Sequence, residues 1–138
     1  LTGKLLLDTC AIIWIATNEP IRPEAKSAID AAVSGDDKVR VSPISAWELG
    51  LLSAKGRMPT ALPPSSLFRD VAMADGVRVE ALSPEVLIAS SFLPGTLHRD
   101  PADRILIATA RAHDLAIVTR DRIILDYAGQ GHVKAVAC

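Results

Sequence analysis

Apolar positions along the chain switch between short unbroken runs and a three-to-four-residue spacing, which predicts strands alternating with helices. Lys4 to Leu7 is a brief apolar run that stops at Asp8, the pattern of a buried strand with an acid at its carboxyl end, and a helical stretch follows from Thr9. Arg22-Pro23-Glu24 opens a second helix that runs through Ala25, Ile29, Ala32 and Val33 to Gly35. Val39-Arg40-Val41 is a strand. Ser42-Pro43 then caps a helix carrying Ile44, Trp47, Leu51 and Leu52 at helical spacing, with Glu48 among them, before Gly56 stops it. Met58 to Ser66 holds three prolines and is expected to be a loop, followed by a short amphipathic helix from Leu67 to Ala74 that ends at Gly76. Val77 to Glu80 is a third strand, and Ser83-Pro84-Glu85 starts a helix to about Leu93. Asp100-Pro101 opens the helix leading into a fourth strand, Leu115 to Val118, and Val133 to Val136 is a fifth. This alternation predicts an α/β fold with a mainly parallel central sheet of about five strands and helices on both faces.

Composition narrows the class. The chain has 138 residues, 49% of them hydrophobic, enough for one domain with a real core, so residues 1–138 are expected to form a single unit. With 15 basic and 16 acidic residues the net charge is −1, so no global positive field holds nucleic acid unspecifically, and any polyanion has to be gripped locally. Cys10 and Cys138 lack the spacing of a disulfide framework or a zinc site and are expected to be ordinary reduced thiols. The apolar start is interrupted by Asp8, and no run approaches the roughly 18 residues of a membrane span. A soluble cytoplasmic protein, without a membrane, is the expectation.

The acids stand out against this background. In open α/β sheets ligands bind beyond the carboxyl ends of the strands. Asp8 ends the first strand and Asp121 follows the fourth, so both should project from that edge. Asp103 occupies the first turn of the helix preceding the fourth strand, which runs antiparallel to it and begins at the same edge, with Asp100 as its N-cap. Glu48 can point back towards the same cleft. Each has a plainer explanation: Asp100 and Asp121 as caps, Asp103 as a complement to the helix dipole, Glu48 as part of a solvated face. Asp100 is assigned to capping alone. Asp8 resists such a reading, because an acid at the buried end of a strand carries a large desolvation penalty unless paired or metal-bound. Carboxylates converging on one cleft repel one another unless a divalent cation neutralises them, and an all-oxygen set suits Mg²⁺ or Mn²⁺ rather than zinc.

Four segments, LLLDTCAIIWIA, SPISAWELGLLSAKGR, HRDPADRILIATA and VTRD, occur in an order and combination that resembles the PIN-domain family, and more closely the VapC-type toxins of toxin–antitoxin pairs. The resemblance spans residues 5 to 121. It implies a PIN-like three-layer sandwich and a Mg²⁺-dependent endoribonuclease, with Mn²⁺ able to substitute, whose metal-binding and catalytic acids are Asp8, Glu48, Asp103 and Asp121. It places Thr119 beside the site, in position to order a water or a carboxylate. It also implies a cognate antitoxin partner and a homodimer through the helices near Leu67 to Leu93. One departure is visible: Ala102 stands where relatives often carry a bulky residue.

Because an acidic cleft repels RNA, attraction has to come from a metal and nearby cations. Lys55, Arg57, Arg99, Arg104, Arg120 and Arg122 are the candidates for RNA binding. His98 is expected to be a loop or phosphate contact, and Trp14 and Trp47 to be core. A receiver-type signalling module would need an aspartate ending the third strand, where the chain reads VRVEAL, and an aspartyl phosphatase would need a second acid two residues after Asp8. A PIN-type structure-specific DNA nuclease or a housekeeping RNase remains as the alternative.

Overall fold

The computed structural model describes residues 4–98 and 100–138. Five strands, β1 (Leu5–Leu7), β2 (Val39–Val41), β3 (Val77–Val79), β4 (Ala116–Thr119) and β5 (Lys134–Ala137), form one sheet in the order β3-β2-β1-β4-β5, with every pair parallel. Among the described residues seven helices accompany them: α1 (Thr9–Ala16), α2 (Pro23–Ser34), α3 (Pro43–Ala54), α4 (Pro64–Ala72), α5 (Pro84–Ala89), α6 (Pro101–His113) and α7 (Arg122–Gly129).

Continuous apolar strands make sense in a sheet covered on both faces, because successive side chains enter different cores. Leu5 and Leu7, with Val39, Val41, Ala116 and Val118, pack against α1, α2 and α4. Leu6 and Ile117 point the other way, against Leu106, Ile107 and Ala110 of α6 and Ile124 and Tyr127 of α7. Helix α3 serves both cores, giving Leu49 to the first and Ile44 to the second. Gly76 makes the turn into β3 at φ +80°, and a Cβ there would lie 2.6 Å from Val33 Cγ1 on α2.

The chain starts in the centre of the sheet, builds outward to β3, and then returns to the other side of β1. The switch in direction therefore lies between β1 and β4, where an open α/β sheet leaves a crevice at its carboxyl edge. Asp8 leaves β1 at that crevice, and Thr119 closes β4 there with Asp121 two residues on.

Three expectations are corrected. Helix α4 begins at Pro64 rather than Leu67, since a proline at the first helical position needs no hydrogen-bond partner for its nitrogen and is preset in φ. Helix α5 ends at Ala89 rather than near Leu93; Ser90 caps it, and turns follow. Trp47 is not core: it is 53% exposed on α3, one turn before the exposed Leu51, whereas Trp14 packs against the core as expected.

Candidate active site

Three helix N-termini meet at the carboxyl edge, and an aspartate caps each. Asp8 accepts a hydrogen bond from the Ala11 amide at 2.7 Å and opens α1. Asp100 accepts from the Asp103 amide at 3.1 Å and opens α6. Asp121 accepts from the amides of Ile123 at 2.8 Å and Ile124 at 3.1 Å and opens α7. The positive ends of these helices partly offset the charge gathered there.

Asp8, Glu48, Asp103 and Asp121 line one cleft of about 390 Å³, together with Thr9, Cys10, Trp14, Leu52, Asp100 and Arg120. A larger hollow of about 850 Å³ lies at the opposite edge of β4 and β5, but its carboxylate, Asp114, is paired with Lys134 at 2.7 Å, so it lacks converging acids. The cleft at the switch point is where the chemistry collects.

Burial governs the acids. Asp8 is 6% exposed, and desolvation lifts its carboxyl to about 6; hydrogen bonds from Thr119 and the Ala11 amide oppose the rise, while Glu48 and Asp121 add to it. Asp103 is likewise lifted to about 6 by burial against the opposing hydrogen bond of His98, with Asp100, Asp121 and Glu48 contributing repulsion. Glu48 is raised in the same direction, by burial first, with Thr9 opposing and Asp100 and Asp121 reinforcing. These carboxylates are uncomfortable as neighbouring anions, which is the condition a bound divalent cation would relieve. An oxygen-rich donor set fits a hard cation. Within it, His98, Asp100 and Asp103 form a trio whose ligand atoms all lie within 4.8 Å of one another.

Thr119 is fully buried; its hydroxyl accepts from the Asp121 amide at 2.9 Å and lies close enough to the Asp8 carboxyl to favour its charged form. His98 does not wait in the loop for phosphate: its Nε2 lies 2.8 Å from Asp103 Oδ2, and its buried Nδ1 has no hydrogen-bond partner among the described residues. Cys10 reaches solvent, but desolvation and the surrounding acids push its thiol up to about 12, so it stays protonated and unreactive.

The expected RNA-binding cations divide into groups. Arg120 lines the cleft, its guanidinium 3.8 Å over the Trp14 ring, while it donates to the carbonyls of Cys138 at 2.8 Å and Pro20 at 2.7 Å. Arg104 departs from expectation, because its guanidinium donates to the carbonyls of Ser90, Leu97 and His98 and so ties down the segment before α6. Lys55 and Arg57 are exposed just past α3, and Arg122 is exposed at the start of α7; none lines the cleft. Arg99 lies outside the described residues.

Sequence reasoning missed Thr9 and Ser45 and left Asp100 outside the site. The Thr9 hydroxyl is hydrogen-bonded to Ser45 Oγ at 3.0 Å and donates to Glu48 Oε1. The signal was present: a hydroxyl directly after Asp8, and a serine three residues before Glu48 on the same helical face.

Residues 5–130 match the PIN domain family. The chain is 34% identical to Ribonuclease VapC22 of Mycobacterium tuberculosis over 122 residues, covering 88% of this chain and 89% of that protein. Its structure resembles that of VapBC2 from Rickettsia felis bound to a DNA fragment from their promoter, with a TM-score of 0.67 at 12% identity over 99% of this chain and 98% of the other. It also resembles a toxin–antitoxin complex from Klebsiella pneumoniae, with a TM-score of 0.59 at 22% identity over 96% of each chain.

Proposed function

The chain belongs to the PIN domain family, and from that premise we propose that it is a metal-dependent endoribonuclease serving as the toxin of a toxin–antitoxin pair. One observation carries the reading. Four acids spread from residue 8 to residue 121 converge on a single cleft at the sheet's switch point, held there at the desolvation penalty that lifts Asp8 and Asp103 to about 6. A fold gains nothing from such an arrangement by itself.

Asp8, Asp103 and Asp121 are the residues that would hold Mg²⁺ or Mn²⁺, with Glu48 either joining them or holding a water. The ion would supply an acidified water and charge stabilisation for hydrolysis of an RNA phosphodiester. The chain's own part is positional. Thr119 accepts from the Asp121 amide and favours the charged form of Asp8, the helix N-termini hold the capping carboxylates to one orientation, and Trp14 with Arg120 forms a rigid wall that brings a cation to an otherwise repulsive cleft. End-labelled RNA and DNA incubated with the protein test the reading. RNA is expected to be cut with Mg²⁺ or Mn²⁺, and neither polymer with chelator; cleavage of DNA in place of RNA would assign a DNA nuclease, and no cleavage of either would sink the reading.

The partner we propose is a small antitoxin that lays an apolar segment over α3 and the loop before α4, where Trp47, Leu51 and Leu62 are exposed, and places an Arg or Lys among the acids. A homodimer through the α4–α5 region fits Leu87, Ile88 and Phe92, the last 80% exposed. Trp47→Ala is expected to change the stability of the free chain by no more than about 0.5 kcal/mol, since the side chain is half exposed. Against the product of the adjacent upstream reading frame it should weaken binding about 30-fold or more, as truncation of an aromatic anchor does. Calorimetric titration of the two purified proteins decides the point, and unchanged affinity places the antitoxin elsewhere.

A further inference from the structure

We propose that Thr9, backed by Ser45, is the positioning residue that selects the working orientation of Glu48. Glu48 stands in the body of α3, away from that helix's N-terminus, and lines the same cleft as the other acids. Asp8 and Asp121 are braced by amides of their own helices, and Asp103 by His98. Among the described residues Glu48 accepts no backbone amide; its fixed contact is Thr9, which donates to Oε1. A glutamate side chain has three rotatable bonds, so without that contact its carboxylate samples many positions around the cleft. With Oε1 held by Thr9, Oε2 is the oxygen that this contact leaves free.

The brace is itself rigid. Thr9 is 4% exposed and follows Asp8 directly as the first residue of α1, so its backbone is set by the same turn that aims Asp8. Ser45 is fully buried one helical turn before Glu48, and its Oγ, 3.0 Å from the Thr9 hydroxyl, keeps that hydroxyl in a single rotamer. One α1 residue thereby couples Glu48 to Asp8 across elements about 40 positions apart in sequence.

This inference rests on the nuclease reading for its kinetic consequence but not for its structural one, and two measurements separate them. Thr9→Val keeps the shape and removes the hydroxyl, while Thr9→Ser keeps the hydroxyl. With RNA and Mn²⁺, Thr9→Val is expected to lower kcat about 10- to 100-fold with KM within about twofold, and Thr9→Ser to restore kcat to within about threefold of the parent chain. In the metal-free protein, the side-chain couplings of Glu48 measured by NMR should report one rotamer in the parent chain and in Thr9→Ser, and averaged rotamers in Thr9→Val. Ser45→Ala should give partial averaging. A parent chain that holds Glu48 in one rotamer yet cuts no RNA would sink the nuclease reading and leave the positioning role standing. Averaged couplings in the parent chain, or a Thr9→Val variant with parental kcat and an ordered Glu48, would overturn the inference. A Thr9→Val protein that merely melts earlier, with both readouts unchanged, overturns it equally.

Discussion

Asp8→Asn is expected to reduce RNA cleavage on the order of 10²- to 10³-fold and, in the same molecule, to make the metal-free fold more stable at pH 7. The first effect follows from losing a charged oxygen at the centre of the cleft. The second follows from linkage. The Asp8 carboxyl is lifted from 3.8 to about 6, so the folded state binds this proton more tightly than the unfolded state does. Its contribution to stability is complete below about pH 4, is lost progressively as the pH rises through about 6, and stays lost above. At pH 7 that loss is about 3 kcal/mol, and Asn, which never ionises, avoids it. Asn also keeps an oxygen for the Ala11 amide, so α1 retains its cap. Denaturation of both proteins at pH 4 and pH 7 should show curves that nearly coincide at the lower pH and separate at the higher. A folded Asp8→Asn protein with full activity would remove Asp8 from the mechanism, and one less stable than the parent at pH 7 would contradict the charge argument.

Mg²⁺ is expected to reverse the same strain. A cation that binds the native cluster and not the unfolded chain stabilises by about 2.7 kcal/mol at 100 times its dissociation constant. For a chain of 138 residues that raises the melting temperature by about 9 °C. The gain should shrink towards pH 5, where protons compete for Asp8 and Asp103, and should largely vanish in Asp8→Asn. Thermal melts across millimolar Mg²⁺ and Mn²⁺ that stay flat at pH 7 would argue against a preformed cation site, and cleavage that survives chelation would exclude a metal-dependent reaction.

The fold was legible where periodicity and punctuation agreed. Val39 to Val41 was placed without error, and Asp100-Pro101 and Asp121-Arg122 marked the starts of α6 and α7 because capping chemistry is local. The four candidate acids were legible for a related reason: strand ends and helix starts fix which edge of the sheet a residue occupies. What stayed hidden depended on contacts between distant segments. Helical spacing could not tell whether Trp47 faced a core or open space, since that depends on what lies across from it. Pro64 looked like loop punctuation, although a proline serves equally as the first residue of a helix. Arg104 resembled a cation awaiting phosphate until its three carbonyl partners came into place, and Thr9 resembled an ordinary residue at a helix start until Glu48 arrived from α3.

The position of β1 at the centre of the sheet carries a consequence in time. Leu5–Leu7 is paired on one side by β2 and on the other by β4, so Asp8 can be joined by Asp121 only after about 110 further residues have been added. At about 5–20 residues per second, that is roughly 6 to 23 s of synthesis during which the growing chain holds one acid of the cluster without its completing partner. Within that interval β2 can pair with β1 and Trp47 can emerge on α3, so the surface proposed for the antitoxin is made before the proposed cluster of acids is complete. On the proposed reading, cleavage has to wait for the last acid, whereas the docking surface proposed for the partner is available earlier.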